Sequence, residues 1–338
     1  MKSNLSRFPQ SRFFQIAFLF VAGLALRAET TEDRLTKTFE VKPGGWLVIE
    51  ADRGSIEIKS ADVERVQIEV LRKVTNESRA KADEIIKNHE IGFSTEGDKV
   101  LVHSQVNRDW VGKLWDKARH LQVHYQISVP KKFNADLKTA GGSIKVSDLS
   151  GEVKGQTSGG SLSFGQIKGS VFGRTSGGSI SVAGCKGDVN VKTSGGGVNL
   201  GDIEGNTSAQ TSGGSINAKK LNGKAVVKTS GGSIEVADIK GSLEAGTSGG
   251  SVAAAISEQP SGDCRLYTSG GGIKVTLAEK IAVDVDAKTS GGRVVTDLPV
   301  ATTVQGEQKS SHLQGKVNGG GPALQLQTSG GSIHLKRM

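Results

Sequence analysis

The chain has 338 residues, a formal charge of +9 and only 4% aromatic residues. Residues 1–28 carry 4 basic and no acidic groups, residues 29–138 carry 19 of each, and residues 139–338 carry 20 basic against 15 acidic. A positive excess spread so thinly, with so few rings to stack bases, argues against a nucleic-acid partner. Of the 47 glycines, 40 lie in residues 139–338, so two compositional regions meet near Lys138.

Lys2, Arg7 and Arg12 precede an apolar run from Phe13 to Leu26 that exits through Leu26-Arg27-Ala28, the make-up of a secretory signal peptide over residues 1–28. Gln15 interrupts the run, which falls short of the roughly 18 residues a membrane span needs, and no cysteine stands at the exit for lipid attachment. The expected location is therefore outside the cytoplasm: the periplasm, the cell surface or the medium.

Residues 29–138 read as a β-rich capping region. Phe39 to Glu50 alternates apolar and polar residues around Pro43-Gly44-Gly45, which predicts a hairpin. Gly54-Ser-Ile-Glu-Ile58, followed by Val66, Ile68 and Val70 at period two, has the order of a repeat unit, so the repeats are expected to begin here. Asn76 to Glu90 breaks that rhythm and predicts a short helix burying Ala80, Ala82, Ile85, Ile86 and His89 on one face. Strands resume at Lys99–His103 and Leu121–Pro130, with the alternation of a half-buried antiparallel sheet. Between them, Arg108 to Arg119 places Val111, Leu114, Trp115 and Ala118 near helical spacing. This second helical segment is expected to cap an open end; the alternative is that Trp110 and Trp115 form an amphipathic contact with a membrane or partner.

From residue 139 the chain repeats. Thr-Ser-Gly-Gly recurs at Thr157, Thr175, Thr193, Thr211, Thr229 and Thr247, each 18 residues after the last, with Thr139-Ala-Gly-Gly one period earlier and Thr268, Thr289 and Thr328 after intervals of 21, 21 and 39. Counting from the threonine, positions 6 and 8 are apolar (Ile180 and Val182, Ile234 and Val236), position 11 is Ile, Leu or Cys185, and position 13 is glycine (Gly169, Gly187, Gly205). Position 15 opens a second short strand. This predicts an all-β parallel solenoid over residues 139–338, in which each 18-residue coil buries its apolar side only against its neighbours. The corner pairs Gly159-Gly160 and Gly177-Gly178 permit sharp turns and close stacking. Some 11 coils stacked at about 4.8 Å would give a rod on the order of 50 Å long, with the inward threonines forming hydroxyl ladders along the axis.

The Thr-Ser-Gly-Gly-Ser-Ile period, the Val41-Lys-Pro-Gly-Gly45 and Gly54-Ser-Ile-Glu-Ile58 segments, the strand end at Pro130 and Lys316-Val-Asn-Gly-Gly-Gly321 together resemble the bacterial putative-adhesin family of β-strand-repeat domains of unknown function. The resemblance covers nearly the whole exported chain. It implies an adhesion or envelope-surface role, with some relatives implicated in sensing envelope stress, and brings no catalytic residues with it.

Motifs for chemistry are sparse. Calcium β-rolls share the 18-residue period, but position 10 reads Asp148, Gln166, Gly184, Asp202, Lys220 and Asp238, not the aspartate ladder a hard cation requires. Cys185 and Cys264 fall about four coils, roughly 19 Å, apart, beyond disulfide reach. His120 and His124, four apart on a strand, are too far from each other for one zinc ion, and the corner serines have no adjacent base. The chain is thus expected to need no cofactor or metal and to act without catalysis, as an adhesin, binding surface or scaffold. Its partner would be an envelope glycan, lipid or protein, or further copies of itself through the coil ends. The alternatives are an envelope-stress or membrane-surface sensor, a polysaccharide-active enzyme, and an ice-binding or filament-forming array. Function is expected where the repeat breaks, at the Trp110 segment and at Ser257–Arg265, and on the outward strand faces.

Overall fold

The computed structural model describes residues 30–107, 120–302 and 310–338. They are all-β apart from one helix and form two 15-stranded, mostly parallel sheets, here called front and back, in a solenoid-like arrangement. The chain opens with β1 (Thr30–Glu40), β2 (Trp46–Ala51), β3 (Ser55–Ala61), β4 (Arg65–Thr75), α1 (Arg79–Lys87), β5 (His89–Glu96), β6 (Lys99–Val106) and β7 (Leu121–Pro130). β8 (Asn134–Thr139), β9 (Ile144–Val146), β10 (Leu149–Ser150) and β11 (Val153–Thr157) complete the transition to the glycine-rich repeats.

Each repeat then contributes one strand to each sheet. Thus β12 (Leu162–Lys168), β14 (Ile180–Lys186), β16 (Val198–Glu204), β18 (Ile216–Asn222), β20 (Ile234–Ile239), β22 (Val252–Ile256) and β24 (Ile273–Leu277) stack in front. Behind them stack β13 (Val171–Arg174), β15 (Val189–Lys192), β17 (Thr207–Gln210), β19 (Ala225–Lys228), β21 (Leu243–Gly246) and β23 (Cys264–Thr268). The register advances by one period per layer: Ile180 pairs with Val198 in front and Val171 with Val189 behind. Because strand side chains alternate, this register stacks like on like. Ile144, Leu162, Ile180, Val198 and Ile216 form one buried column, and the inward residues of both sheets share one continuous core.

Two corner features hold the layers at strand spacing. A Cβ added at Gly178 would lie 2.2 Å from the Gly160 carbonyl oxygen of the layer beneath, and the same contact recurs at 2.3 Å for Gly196 and Gly214, so the second glycine of each motif cannot bear a side chain. Each threonine hydroxyl then donates to the carbonyl of that glycine one layer away: Thr175 Oγ1 to Gly160 at 2.8 Å, Thr193 to Gly178 and Thr211 to Gly196 at 2.7 Å. The hydroxyl ladder expected from the sequence is therefore absent from this column. Each donor is spent on a backbone acceptor that the tight corner would otherwise leave without a partner.

The N-terminal region departs from the predicted hairpin. β1 lies in the front sheet and β2 in the back sheet, so the Pro43-Gly44-Gly45 turn moves the chain between sheets instead of folding it back on itself. The first repeat-like unit does stack: β2 pairs in parallel with β8, and β3 with β9. Its predicted second strand does not follow, since Val66, Ile68 and Val70 belong to β4, which runs antiparallel to β7. β6 and β7 form a further layer outside β2 and β3, and the antiparallel strands β4 and β1 in front and β5 behind close that end. In α1, Ala82, Ile85 and Ile86 are buried as expected. Ala80 faces solvent, and His89 is the buried first residue of β5.

The other end is not stacked in chain order. β25 (Val283–Thr289), β26 (Val294–Thr296), β27 (Val300–Ala301) and β28 (His312–Val317) are followed by β29 (Ala323–Thr328) and β30 (Ile333–Arg337). β29 lies between β23 and β25, and β30 between β24 and β26. The last repeat is thus intercalated between the two before it. The threonine contacts follow spatial order: Thr328 donates to Gly271 and Thr289 to Gly331, both at 2.7 Å. The antiparallel strands β28 and β27 end the back sheet, which shields its final edge.

Candidate functional site

The second strand of each repeat points positions 16 and 18 to solvent on the back sheet. Position 18 forms an axial row in register, Lys138, Gln156, Arg174, Lys192, Gln210 and Lys228, which Glu50 of β2 continues beyond Lys138. Beside it runs Asp136, Lys154, Phe172, Asn190, Ser208 and Val226. Trp46 faces outward from β2, and Lys154 Nζ lies 5.4 Å from its ring centroid. Tyr267 faces outward from β23, with the Arg265 guanidinium 5.5 Å from its centroid. A Cβ at Gly246 would fall 2.2 Å from the Tyr267 ring, so glycine at that point of the row lets the ring lie across the neighbouring strand. Among the described residues, Trp46, Phe172 and Tyr267 are the Phe, Tyr and Trp side chains on an outer sheet face, and all three lie on the back sheet. The front sheet instead presents small polar columns such as Ser163, Ser181, Asn199 and Asn217.

At the N-terminal end of this face a cleft of about 770 Å³ opens between the corners after β2, β6, β8, β11 and β13, lined by Glu50, Asp52, His103, Lys138, Gln156 and Arg174 among others. Lys138 Nζ donates to Glu50 Oε1 at 2.8 Å. That bond holds the Glu50 carboxyl below its ordinary range and the Lys138 ammonium above its own. Asp52 Oδ2 accepts the Val106 amide at 2.7 Å, fixing the corner after β2 against the end of β6. Arg174 and Lys192 are exposed and make no ion pair among the described residues.

Beneath the cleft lies a polar network not foreseen from sequence. Tyr125 Oη donates to Ser104 Oγ at 2.6 Å, and Ser104 Oγ lies 2.8 Å from His89 Nε2. Burial, with the Arg72 and Arg53 charges, pulls the His89 imidazole down to about 4, and burial raises the Tyr125 phenol to about 12; both are neutral at physiological pH. With Tyr125 donating into Ser104, the serine proton is directed to Nε2, so Nδ1 carries the hydrogen. Nδ1 has no partner and Ser104 is 1% exposed, so this serine–histidine contact lacks both the orienting carboxylate and the access of a nucleophilic pair. Its signal in the sequence was a serine at an inward position of β6, between Val102 and Val106.

The residues singled out from sequence are distributed differently. Thr157, Thr175, Thr193, Thr211, Thr229 and Thr247 are buried and serve the layer contacts described above, as do Gly160 and Gly178; Gly159 and Gly177 occupy the exposed tips of the same corners. Trp110, Trp115 and the expected signal segment lie outside the described residues. Ser257–Arg265 pins the intercalated end: Gln259 exchanges two hydrogen bonds with the backbone of Ala282, at 2.8 and 2.9 Å, and Asp263 Oδ1 accepts the Ala323 amide at 2.9 Å. Cys185 and Cys264 are separate, buried thiols. His120 pairs with Glu77 at 3.0 Å, while His124 contacts Ser55. Among the described residues no group of three or more His, Cys, Asp or Glu is placed to hold a metal, and no helix is long and apolar enough to cross a membrane.

No family model matches the sequence, and no curated protein matches it either. Solved structures that align along the chain include one described as a putative adhesin from Bacteroides fragilis, 12% identical with a TM-score of 0.32 over 90% of this chain and 97% of that one. Another is described as a putative cell adhesion protein from Clostridium sporogenes, 13% identical with a TM-score of 0.23 over 91% and 100%. A third, from Parabacteroides distasonis, is described as a putative lipid binding protein, 11% identical with a TM-score of 0.34 over 90% and 97%. Bacterial proteins described as putative adhesins are thus among the chain's structural neighbours.

Proposed function

We propose that the chain is an exported cell-envelope protein that works by binding, using the outer face of the back sheet as an adhesion or scaffold surface on an 18-residue-coil β-solenoid with a β-rich N-terminal cap. The observation that carries this is the asymmetry of the two faces. Outward aromatic side chains, the basic row from Lys138 to Lys228 and the cleft all gather on one sheet, whereas stacking requires only the inward residues to repeat. Half-buried rings that face outward beside charged groups are what recognition surfaces concentrate. The cleft's polar groups are engaged in exposed pairs such as Lys138–Glu50, which a ligand can replace at little cost.

The test is co-sedimentation of the purified chain with envelope fractions, comparing wild type with Arg174→Glu/Lys192→Glu on the back sheet and Lys145→Glu/Lys219→Glu on the front. Retention lost only in the back-sheet variant is expected. Equal retention of all three proteins would remove the proposal, and turnover of envelope glycans by the wild type would replace it with an enzymatic one.

A further inference from the structure

The geometry points to a linear anionic polysaccharide, lying along the stacking axis, as the partner of the back-sheet face. This rests on the binding role proposed above and names the chemistry of its ligand. Three aromatic side chains on that face each stand beside a cation: Trp46 with Lys154 at 5.4 Å, Tyr267 with Arg265 at 5.5 Å, and Phe172 two residues from Arg174 on the same side of β13. A ring next to a cation suits a sugar that has both an apolar ring face and a carboxylate, since the C–H groups stack while the charge is met alongside. Neutral glycans would not need the cations, and simple anions would not need the rings.

The arrangement of charge sets the ligand's shape. From Lys138 to Lys228 the row reads basic, neutral, basic, basic, neutral, basic over six successive layers. The layers are about 4.8 Å apart, close to the length of one pyranose in an extended chain. Four cations over roughly 24 Å match a polymer with about one carboxylate per one or two sugars. They are far too sparse for double-stranded nucleic acid, with its charge every ~1.7 Å. Arg174 and Lys192, unpaired among the described residues, stand in mid-row. Lys138 and Lys228 are held by Glu50 and Glu244 at 2.8 and 2.7 Å in half-exposed pairs, which exchange readily for a ligand carboxylate. Beyond Lys228, Gly246 lets the Tyr267 ring lie low across the neighbouring strand.

The experiment is calorimetric titration of the purified chain with polygalacturonate and hyaluronate, each compared with its methyl-esterified form and with neutral dextran. The acidic polymers are expected to bind with an affinity that falls steeply with salt, and the esters and dextran at least tenfold more weakly. Arg174→Ala/Lys192→Ala and Phe172→Ala should each lose at least tenfold, while Lys145→Ala/Lys219→Ala on the front sheet should bind as wild type; matched circular dichroism and melting confirm folding. Equal binding of the esters, an equal loss in the front-sheet variant, or tighter binding of poly-dT or phosphatidylglycerol vesicles would overturn the assignment. If neither acidic polymer binds, yet envelope fractions retain the wild type and release Arg174→Ala/Lys192→Ala, the binding role stands and the polysaccharide assignment falls. If those fractions retain that variant as well as wild type, both fall.

Discussion

Replacing Gly196 with alanine tests whether the second glycine of the motif is a steric necessity. Its added methyl would sit 2.3 Å from Gly178 O and 2.5 Å from both Gly178 C and Ser179 N. Carbon contacts settle near 3.5 Å, so the two layers must part by about 1 Å at this corner. The parting would stretch the Thr193 Oγ1–Gly178 O bond of 2.7 Å and the Ile180 amide bond to Gly197 O of 3.0 Å. Two weakened hydrogen bonds at about 1 kcal/mol each, added to about 1–3 kcal/mol for overpacking against rigid backbone, give a loss of about 3–5 kcal/mol. Gly195→Ala is the internal control. Its methyl would meet nothing nearer than Gly177 O at 3.1 Å, and the lost freedom of the unfolded chain offsets part of that crowding by about 0.4–1 kcal/mol. Its net effect should stay within about 1 kcal/mol. Because repeat arrays unfold in stages, the informative assay is hydrogen exchange of the Ile180 and Val198 amides alongside urea denaturation. Equal protection in the two variants would refute the steric account of the motif.

Thr211→Val removes the donor to Gly196 O at 2.7 Å while keeping the side chain's shape. It should destabilise by about 1–2 kcal/mol in urea unfolding, whereas Thr211→Ser should cost less. His89, depressed to about 4 in the fold from an ordinary 6.5, binds fewer protons folded than unfolded between those values. Its contribution is therefore complete above pH 6.5 and is lost as pH falls toward 4, by at most on the order of 3 kcal/mol. Stability curves of His89→Gln across that window should be flatter than wild type. The Cys185 thiol, pushed up to about 11 by burial and the nearby Asp188, should react with a thiol reagent only after denaturation, and labelling of the native chain at neutral pH would contradict its place in the core.

Much of the architecture is written in the repeats because a strand buried on one face has a period of two, and a repeated corner leaves no choice of partner but its own copy. Ile180, Val182, Cys185 and Val189 could be assigned to the core from position alone. The outward rows were equally legible as rows, but their meaning was not: Lys154 and Trp46, or Arg265 and Tyr267, become neighbours only through strand pairing. Where periodicity fails, local pattern misled. Pro43-Gly44-Gly45 has the chemistry of a hairpin turn, yet whether the strands beside it pair or part is decided by β6 and β8 on either side of β2. The hydroxyl column was misread for a similar reason, since a threonine's acceptor is chosen by which carbonyl the neighbouring corner leaves open. The order of the last layers also depended on distant contacts. Gln259 and Asp263 meet Ala282 and Ala323, residues 23 and 60 positions further along the chain.

The sequence by itself determined the period, the inward columns and the glycine corners, because these follow from backbone sterics and burial acting identically in every copy. Only the tertiary structure decided the intercalated end, the threonine-to-carbonyl contacts and the gathering of rings and cations on one face. These are relations between residues many periods apart, and no local rule links such residues until the layers have stacked.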